Sequence, residues 1–143
     1  LAAMIYSGAT GAGFWLPMKN IAALWLGVYA LVGGTGVVCL GILTHLVIAG
    51  GLGILFAMTT PRRAKSAAAG LIGGLLFGGA TWLVMTFVLM PMLDPTMRAR
   101  IAFTPGWWFV LHMIFGASLI LIPLIRLGFS RVPAGQPAQM QTA

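Results

Sequence analysis

From residue 20 to residue 61 the chain carries no charged side chain. A soluble domain has about 25% charged residues, because its surface must face water. In the whole chain only 6% of residues are charged and 60% are hydrophobic. The outer face must therefore contact lipid, where backbone polar groups have to be satisfied inside helices or closed barrels. The long apolar runs favour helices, and we predict an all-α, polytopic transmembrane helix bundle.

The charge balance of the chain is strongly basic. Eight Lys and Arg residues stand against one acid, Asp94, and the net charge is +7. A high pI can indicate nucleic acid binding, but here the basic residues lie in short connections between apolar runs, which is typical of membrane orientation. We therefore expect a lipid bilayer as partner and no nucleic acid. The single cysteine, Cys39, lies in an apolar run and offers neither a disulfide nor a cysteine-rich metal site.

The apolar runs divide the chain into spans and connections. About 20 helical residues cross the roughly 30 Å hydrocarbon layer at about 1.5 Å per residue. Four spans are predicted, at about 1–17, 37–59, 67–93 and 107–129, which together form a bundle over 1–129. Residues 20–34 are expected to be interfacial or re-entrant, and if they cross instead, the count becomes five. Residues 130–143 are predicted to form a flexible C-terminal tail.

The positions of the basic residues predict the orientation. The turn "PRRAKS" and the C-terminal region carry most of the Lys and Arg residues, whereas "DPTMRAR" carries two Arg and the only acid. Cytoplasmic connections are enriched in Lys and Arg. We predict a multi-pass protein of the bacterial cytoplasmic (inner) membrane with "PRRAKS" and the C-terminus in the cytoplasm.

Two parts of the chain are similar to each other. "FWLPM" ends the first predicted span and "FVLMPM" ends the third, and a histidine-containing span follows each, with "HLVIAGGLGIL" in one and "HMIFGASLILI" in the other. This pattern predicts two parallel helical-hairpin repeats. It makes residues 20–36 the counterpart of the connection 94–106, which favours four spans over five.

The same segments carry a family resemblance. "LPMKNIAALWLG", "THLVIAGGLGILFA", "GLIGGLLFGGATWLVMTFVLMPM" and "LHMIFGASLILI" resemble a widespread family of small bacterial four-helix integral membrane proteins, over roughly residues 5–128. That family has no established activity. The resemblance implies a four-helix fold and supplies no catalytic or binding residue.

Small residues recur at helical spacing and mark candidate helix-packing positions. Helices in lipid associate where small side chains let their backbones approach closely. The predicted packing positions are Gly41, Ala49 and Gly53 in the second span, Gly70, Gly74 and Gly78 in the third, and Gly116 in the fourth.

His45 and His112 are the polar side chains that most need an explanation, because ionisable residues inside a membrane are functional candidates. One interpretation is structural: each neutral ring donates a hydrogen bond to another helix. The candidate partners are Thr44, Ser118, Thr81 and Tyr6. The other interpretation is cofactor binding, as two axial ligands of haem b or as ligands of a chlorophyll-type pigment. The neighbouring small residues favour a tight interface and hence the structural interpretation.

No constellation of catalytic residues is visible in the sequence. It has no GxSxG, P-loop, HExxH or paired carboxylates, so no catalytic residue and no metal site is predicted, and an enzyme is not expected. The leading hypothesis is a non-catalytic subunit that packs into a respiratory, photosynthetic or oxygenase complex with other integral membrane subunits. The second is a small haem- or pigment-binding electron-transfer protein, and a channel or small-solute carrier is a weaker third.

Overall fold

The structure, a computed structural model, describes residues 1–60, 66–94, 96, 97, 99 and 105–129. Within these residues all regular structure is helical, which confirms the all-α prediction. The elements are α1 (Ala2–Ala9), α2 (Leu16–Leu26), a 3-10 helix (Gly27–Val32), α3 (Thr35–Thr59), α4 (Ala67–Val84), a π turn (Met85–Leu89), α5 (Met90–Leu93), α6 (Pro105–Ser118) and α7 (Leu121–Phe129).

Three helical segments in the described part of the chain are long and apolar enough to cross a membrane. They are Thr35–Thr59, Ala67–Leu93 and Gly106–Ile125, and they support the predicted multi-pass membrane character. The first predicted span, residues 1–17, is not confirmed. α1 has eight residues and covers about 12 Å, and Gly11 and Gly13 then turn the chain with φ of 77° and 103°.

The contacts between the long helices give their directions. Rings of Phe56 and Phe77 lie 5.4 Å apart, and Thr60 shares a groove with Ala69, so α3 and α4 are antiparallel. As α4 runs from Gly70 to Gly78, its nearest contacts pass from Pro123 back to His112. α4 and α6 are therefore antiparallel too. Consequently α3 and α6 begin on the same side. We call this side the proximal end and the opposite side, next to residues 61–65, the distal end.

The first 34 residues gather at the proximal end. Tyr6 stacks on Trp107 near the start of α6, with 4.3 Å between ring centroids. The Met18 carbonyl packs directly on Gly41, six residues after the start of α3. Leu16–Val32 is apolar but shorter than a span. It packs beside the first third of α3, and the interfacial placement of residues 20–34 stays a prediction.

The backbones of α4 and α6 are in close contact. A Cβ added at Gly78 would lie 2.5 Å from the His112 carbonyl oxygen, and one at Gly70 would lie 2.8 Å from Pro123 Cγ. Gly74 and Gly116 pack against each other's backbones. The helices approach this closely because these positions have no side chain.

The predicted repeat is not confirmed by the packing. α3 and α6 do run in the same direction, but their aligned residues lie in different surroundings. Gly116 is buried against α4, whereas the aligned Ala49 is half-buried on α3. Likewise Pro17 lies in the first turn of α2, whereas Pro91 lies close to the end of the long segment Ala67–Leu93.

A π turn lets the segment Ala67–Leu93 continue as a helix through Pro91. Proline lacks an N–H, and inside a helix its ring clashes with the carbonyl four residues before it. The Met90 N–H instead bonds to the Met85 carbonyl across the wider turn. Beyond Leu93, Asp94 Oδ1 accepts hydrogen bonds from the Thr96 and Met97 N–H groups, and the helix ends.

The α4–α6 contact can be tested with adjacent glycines. Gly74→Ala introduces a methyl group against the Gly116 backbone, so we expect a loss of about 1–3 kcal/mol in the free energy of unfolding. Gly73→Ala is the control, because a Cβ there meets nothing within 4 Å, and alanine is favoured over glycine in helices. The measurement is unfolding in mild detergent, and equal effects of the two substitutions would contradict the packing.

Candidate functional site

His112 lies on the face of α6 that packs against α4, four residues from both Trp108 and Gly116. Its Nδ1 lies 2.9 Å from the Trp108 carbonyl oxygen. A carbonyl only accepts hydrogen bonds, so the ring carries a proton on Nδ1 and donates it. The hydrogen bond therefore stays within α6 and uses none of the predicted partners. Its acceptor is the carbonyl four residues earlier in the same helix.

Trp108 links His112 to the π turn. Its Nε1–H donates to Thr86 Oγ1 at 3.1 Å, and its ring meets the His112 ring edge-on at 4.8 Å. We call Thr86, Trp108 and His112 the Trp108 cluster. It fixes the proximal part of α6 against the π turn and leaves His112 Nε2 as the ring nitrogen outside this hydrogen bond.

Trp82 supplies an unsatisfied donor beside this cluster. Its Nε1–H is buried and has no hydrogen-bond partner in the structure, while its ring packs edge-on against Phe109 and Phe87 at 5.0 and 5.7 Å. A buried donor without an acceptor costs about 1–3 kcal/mol. The mid-span position of this tryptophan was the only sequence signal that set it apart from the tryptophans near span ends.

His45 points to the inner face of α3 but is not covered there. It follows Val38 by seven residues and Gly41 by four, and both of these are buried. Yet His45 is exposed, and the described residues offer its ring no hydrogen bond. The described residues therefore do not supply the predicted partner of His45 on a neighbouring helix, and that hydrogen bond stays a prediction. The physical reason is length, because α2 covers α3 as far as Thr44 and α4 covers it again only near Phe56.

Residues 45–53 form the uncovered part of α3, which we call the α3 waist. Gly53, predicted as a packing position, has open space around it, as do Gly50 and Gly51. Glycine inside a helix costs about 1 kcal/mol relative to alanine. At Gly41 this cost is offset by contact with Met18, whereas within the described chain nothing offsets it in the waist.

A second indole–hydroxyl bond fixes α2 to α3. The Trp25 Nε1–H donates to Thr44 Oγ1 at 2.9 Å, directly before the waist begins. Both indole–threonine bonds lie at the proximal end and join residues that are 19 and 22 positions apart in the sequence, so helical periodicity alone could not pair them.

The two histidines lie on helices that pack against different partners. His45 lies ten residues after Thr35 and His112 seven residues after Pro105, which is about 15 and 10 Å along their helices. α3 packs on α2, and α6 packs on α4. Among the described residues no three His, Cys, Asp or Glu side chains are grouped for a metal ion. The geometry favours a cofactor ligated by one histidine over one bridged between two.

Comparison of the chain with known family models, curated proteins and solved structures gives no match. The resemblance to small bacterial four-helix membrane proteins therefore stays a prediction.

The Trp108 cluster predicts a measurable stability effect. Thr86→Val removes the acceptor of the Trp108 indole and should lower the free energy of unfolding by about 1 kcal/mol. Thr59→Val is the control, because the Thr59 hydroxyl bonds only to carbonyls of its own helix, Leu55 and Phe56. Both variants are compared by thermal unfolding in the same detergent. A Thr86→Val variant that melts like Thr59→Val would show that the indole bond does not stabilise the fold.

Proposed function

We propose that this chain is a non-catalytic integral membrane subunit that packs into and stabilises a larger membrane protein complex. A respiratory, photosynthetic or oxygenase assembly is the class we expect, in the bacterial inner membrane. The observation that carries the proposal is the α3 waist, where an exposed histidine and several glycines lie in the middle of an apolar helix without partners among the described residues.

Contact between the waist and lipid costs free energy. A polar ring in hydrocarbon finds no hydrogen-bond partner there, and transferring such a group without one costs several kcal/mol. A helix from another subunit would offset this cost in two ways. It could exchange a hydrogen bond with His45, and it could approach closely over Ala49 and Gly53.

Low burial within the chain supports the same conclusion. In each of the three long segments only 17% of the most apolar window is buried inside the protein. The α4–α6 contact is close, but α3 is held only at its two ends. Such a chain has ample helix surface for neighbouring subunits.

The role of the waist can be tested by placing leucine at two glycine positions of α3, one in the waist and one outside it. Gly53→Leu places a bulky side chain on the histidine side of the waist. It should reduce recovery of co-purifying membrane subunits about ten-fold, since overpacking costs about 1–3 kcal/mol and about 1.4 kcal/mol is a factor of ten. Gly36→Leu is the control, because Gly36 also has open space but lies on the opposite face at the proximal end.

The measurement is affinity purification of the full chain from its native membrane in mild detergent, with mass spectrometry of the co-migrating chains. His45→Leu should reduce recovery as Gly53→Leu does. A parent chain that purifies without other membrane subunits contradicts the proposal.

A haem- or pigment-binding electron-transfer protein is the second candidate, and His112 favours it. A histidine that ligates a metal usually donates its other N–H to a carbonyl or carboxylate, which orients the ring. The bond from His112 Nδ1–H to Trp108 has this form and leaves Nε2 for a ligand. Haem iron or chlorophyll magnesium would supply the redox or light-absorbing chemistry.

An absorption spectrum separates the two candidates. If His112 ligates a macrocycle, the chain purified from its native membrane shows a Soret or chlorophyll band, and His112→Gln and His112→Ala both lose it. If His112 is structural, the purified chain has no such band. In that case His112→Gln should be more stable than His112→Ala, because glutamine keeps a donor for the Trp108 carbonyl.

The proposed orientation places the distal end and the C-terminus in the cytoplasm. In a Cys39→Ala background, Ala99→Cys should react with a membrane-impermeant thiol reagent in intact cells, whereas Lys65→Cys should react only after the cells are opened. The reason is the excess of basic residues in "PRRAKS" and near the C-terminus. The opposite labelling pattern would reverse the orientation.

A further inference from the structure

A small pocket lies at the proximal end between the start of α2 and the end of the 3-10 helix. Its volume is about 210 Å³, and its lining includes the loop from Gly13 to Leu16, together with Lys19 and Leu31. The loop is held in place by a hydrogen bond from Ser7 Oγ to the Gly13 carbonyl at 2.8 Å. Neither histidine nor the Trp108 cluster contributes to this pocket, so it is separate from the sites described above.

Lys19 gives the pocket its charge. Its side chain is half-buried, and Nζ makes one long contact, 3.5 Å to the Leu31 carbonyl. An ammonium group has three donors, so two remain available. The lining contains no acidic residue, and the one acid of the chain, Asp94, accepts hydrogen bonds from its own turn. The pocket is therefore electropositive.

The surroundings of the pocket are those of a membrane interface. Phe14 and Trp15 line it, are 41% and 45% exposed, and pack edge-on at 5.0 Å. α2 lies against the first turns of α3, where Met18 meets Gly41, so the pocket is at the level at which a span emerges from the hydrocarbon. Tryptophan side chains are enriched at this level.

We infer that this pocket binds the phosphate group of an anionic membrane phospholipid. The Lys19 ammonium donates charge-assisted hydrogen bonds to the phosphate oxygens, and the exposed rings of Phe14 and Trp15 contact the glycerol and the upper acyl chains. The volume accommodates a single phosphate with its glycerol. A lipid is favoured over a soluble phosphate because the exposed rings of Phe14 and Trp15 beside the pocket can contact acyl chains, which a soluble phosphate lacks. The inference does not depend on a partner subunit.

The test compares lipid retention by the full chain. The protein is purified in micelles that contain equal amounts of phosphatidylglycerol and phosphatidylcholine, and native mass spectrometry gives the ratio of the two lipids retained. The parent should prefer phosphatidylglycerol, and Lys19→Gln should lower that preference roughly five-fold, the effect of one cation near a membrane surface. Lys19→Arg should keep it. Arg131→Gln, which removes a cation near the C-terminus, is the control and should not change it.

Two further outcomes decide the source of the phosphate and the part played by charge. Inorganic phosphate at constant ionic strength should leave phosphatidylglycerol bound, and its displacement would identify a soluble-anion site instead. Rising salt should weaken the preference of the parent, because screening weakens an exposed ion pair. This salt series needs no variant, so it decides the matter even if Lys19→Gln does not fold. A preference that persists in Lys19→Gln, or that salt leaves unchanged, overturns the inference.

Discussion

The close backbone contact between α4 and α6 is the interaction on which the rest of this fold depends. Lipid tails are as apolar as leucine, so helices gain little from burying side chains against each other in a membrane. What remains is close packing, and Gly74 and Gly116 permit it. Once these helices are in register, Trp108 reaches Thr86 and His112 faces α4. The polar cluster is thus a consequence of the glycine contact.

α3 shows what happens when such a contact covers only part of a helix. Its proximal third is held by α2 through Gly41 and by the Trp25–Thr44 bond, and its distal end is held by the Phe56–Phe77 ring contact. Between these points the His45 side chain is exposed. A helix of 25 residues that is secured only at its ends leaves a free middle surface, which is the geometric basis for proposing neighbouring subunits.

The sequence predicted the features that follow from solvent and spacing. The lack of charge located the long helices, and the four-residue glycine spacing identified three packing positions. Gly74 and Gly78 lie at the α4–α6 contact, and Gly70 packs on Pro123 of α7. It did not predict that residues 1–17 break after Ala9. That break depends on the positive φ angles of Gly11 and Gly13. Glycine is also frequent inside membrane helices, so its presence did not mark the break.

The histidines could not be assigned from the sequence for a related reason. Helical periodicity gives the face on which a residue lies but not how far a partner helix extends. His45 lies on the inner face, as its spacing from Gly41 indicates, yet α2 ends too early to cover it. For His112 the nearest acceptor was the Trp108 carbonyl of its own helix, an option that a search for partners on other helices does not include.

The π turn at Met85–Leu89 has a consequence for how this chain tolerates changes in length. A π turn holds one residue more than the α-helical turn it replaces, so deleting a single residue there would restore regular α geometry without opening the helix. Every residue beyond it would keep its orientation relative to α4, because the α-helical turn closes about the same rotation with one residue fewer. Met90, now buried, would keep its surroundings, and Asp94 would still end the helix. A deletion in the α-helical part of the same segment would instead rotate every later residue by about 100°, so the π turn is the place where this segment tolerates the loss of a residue.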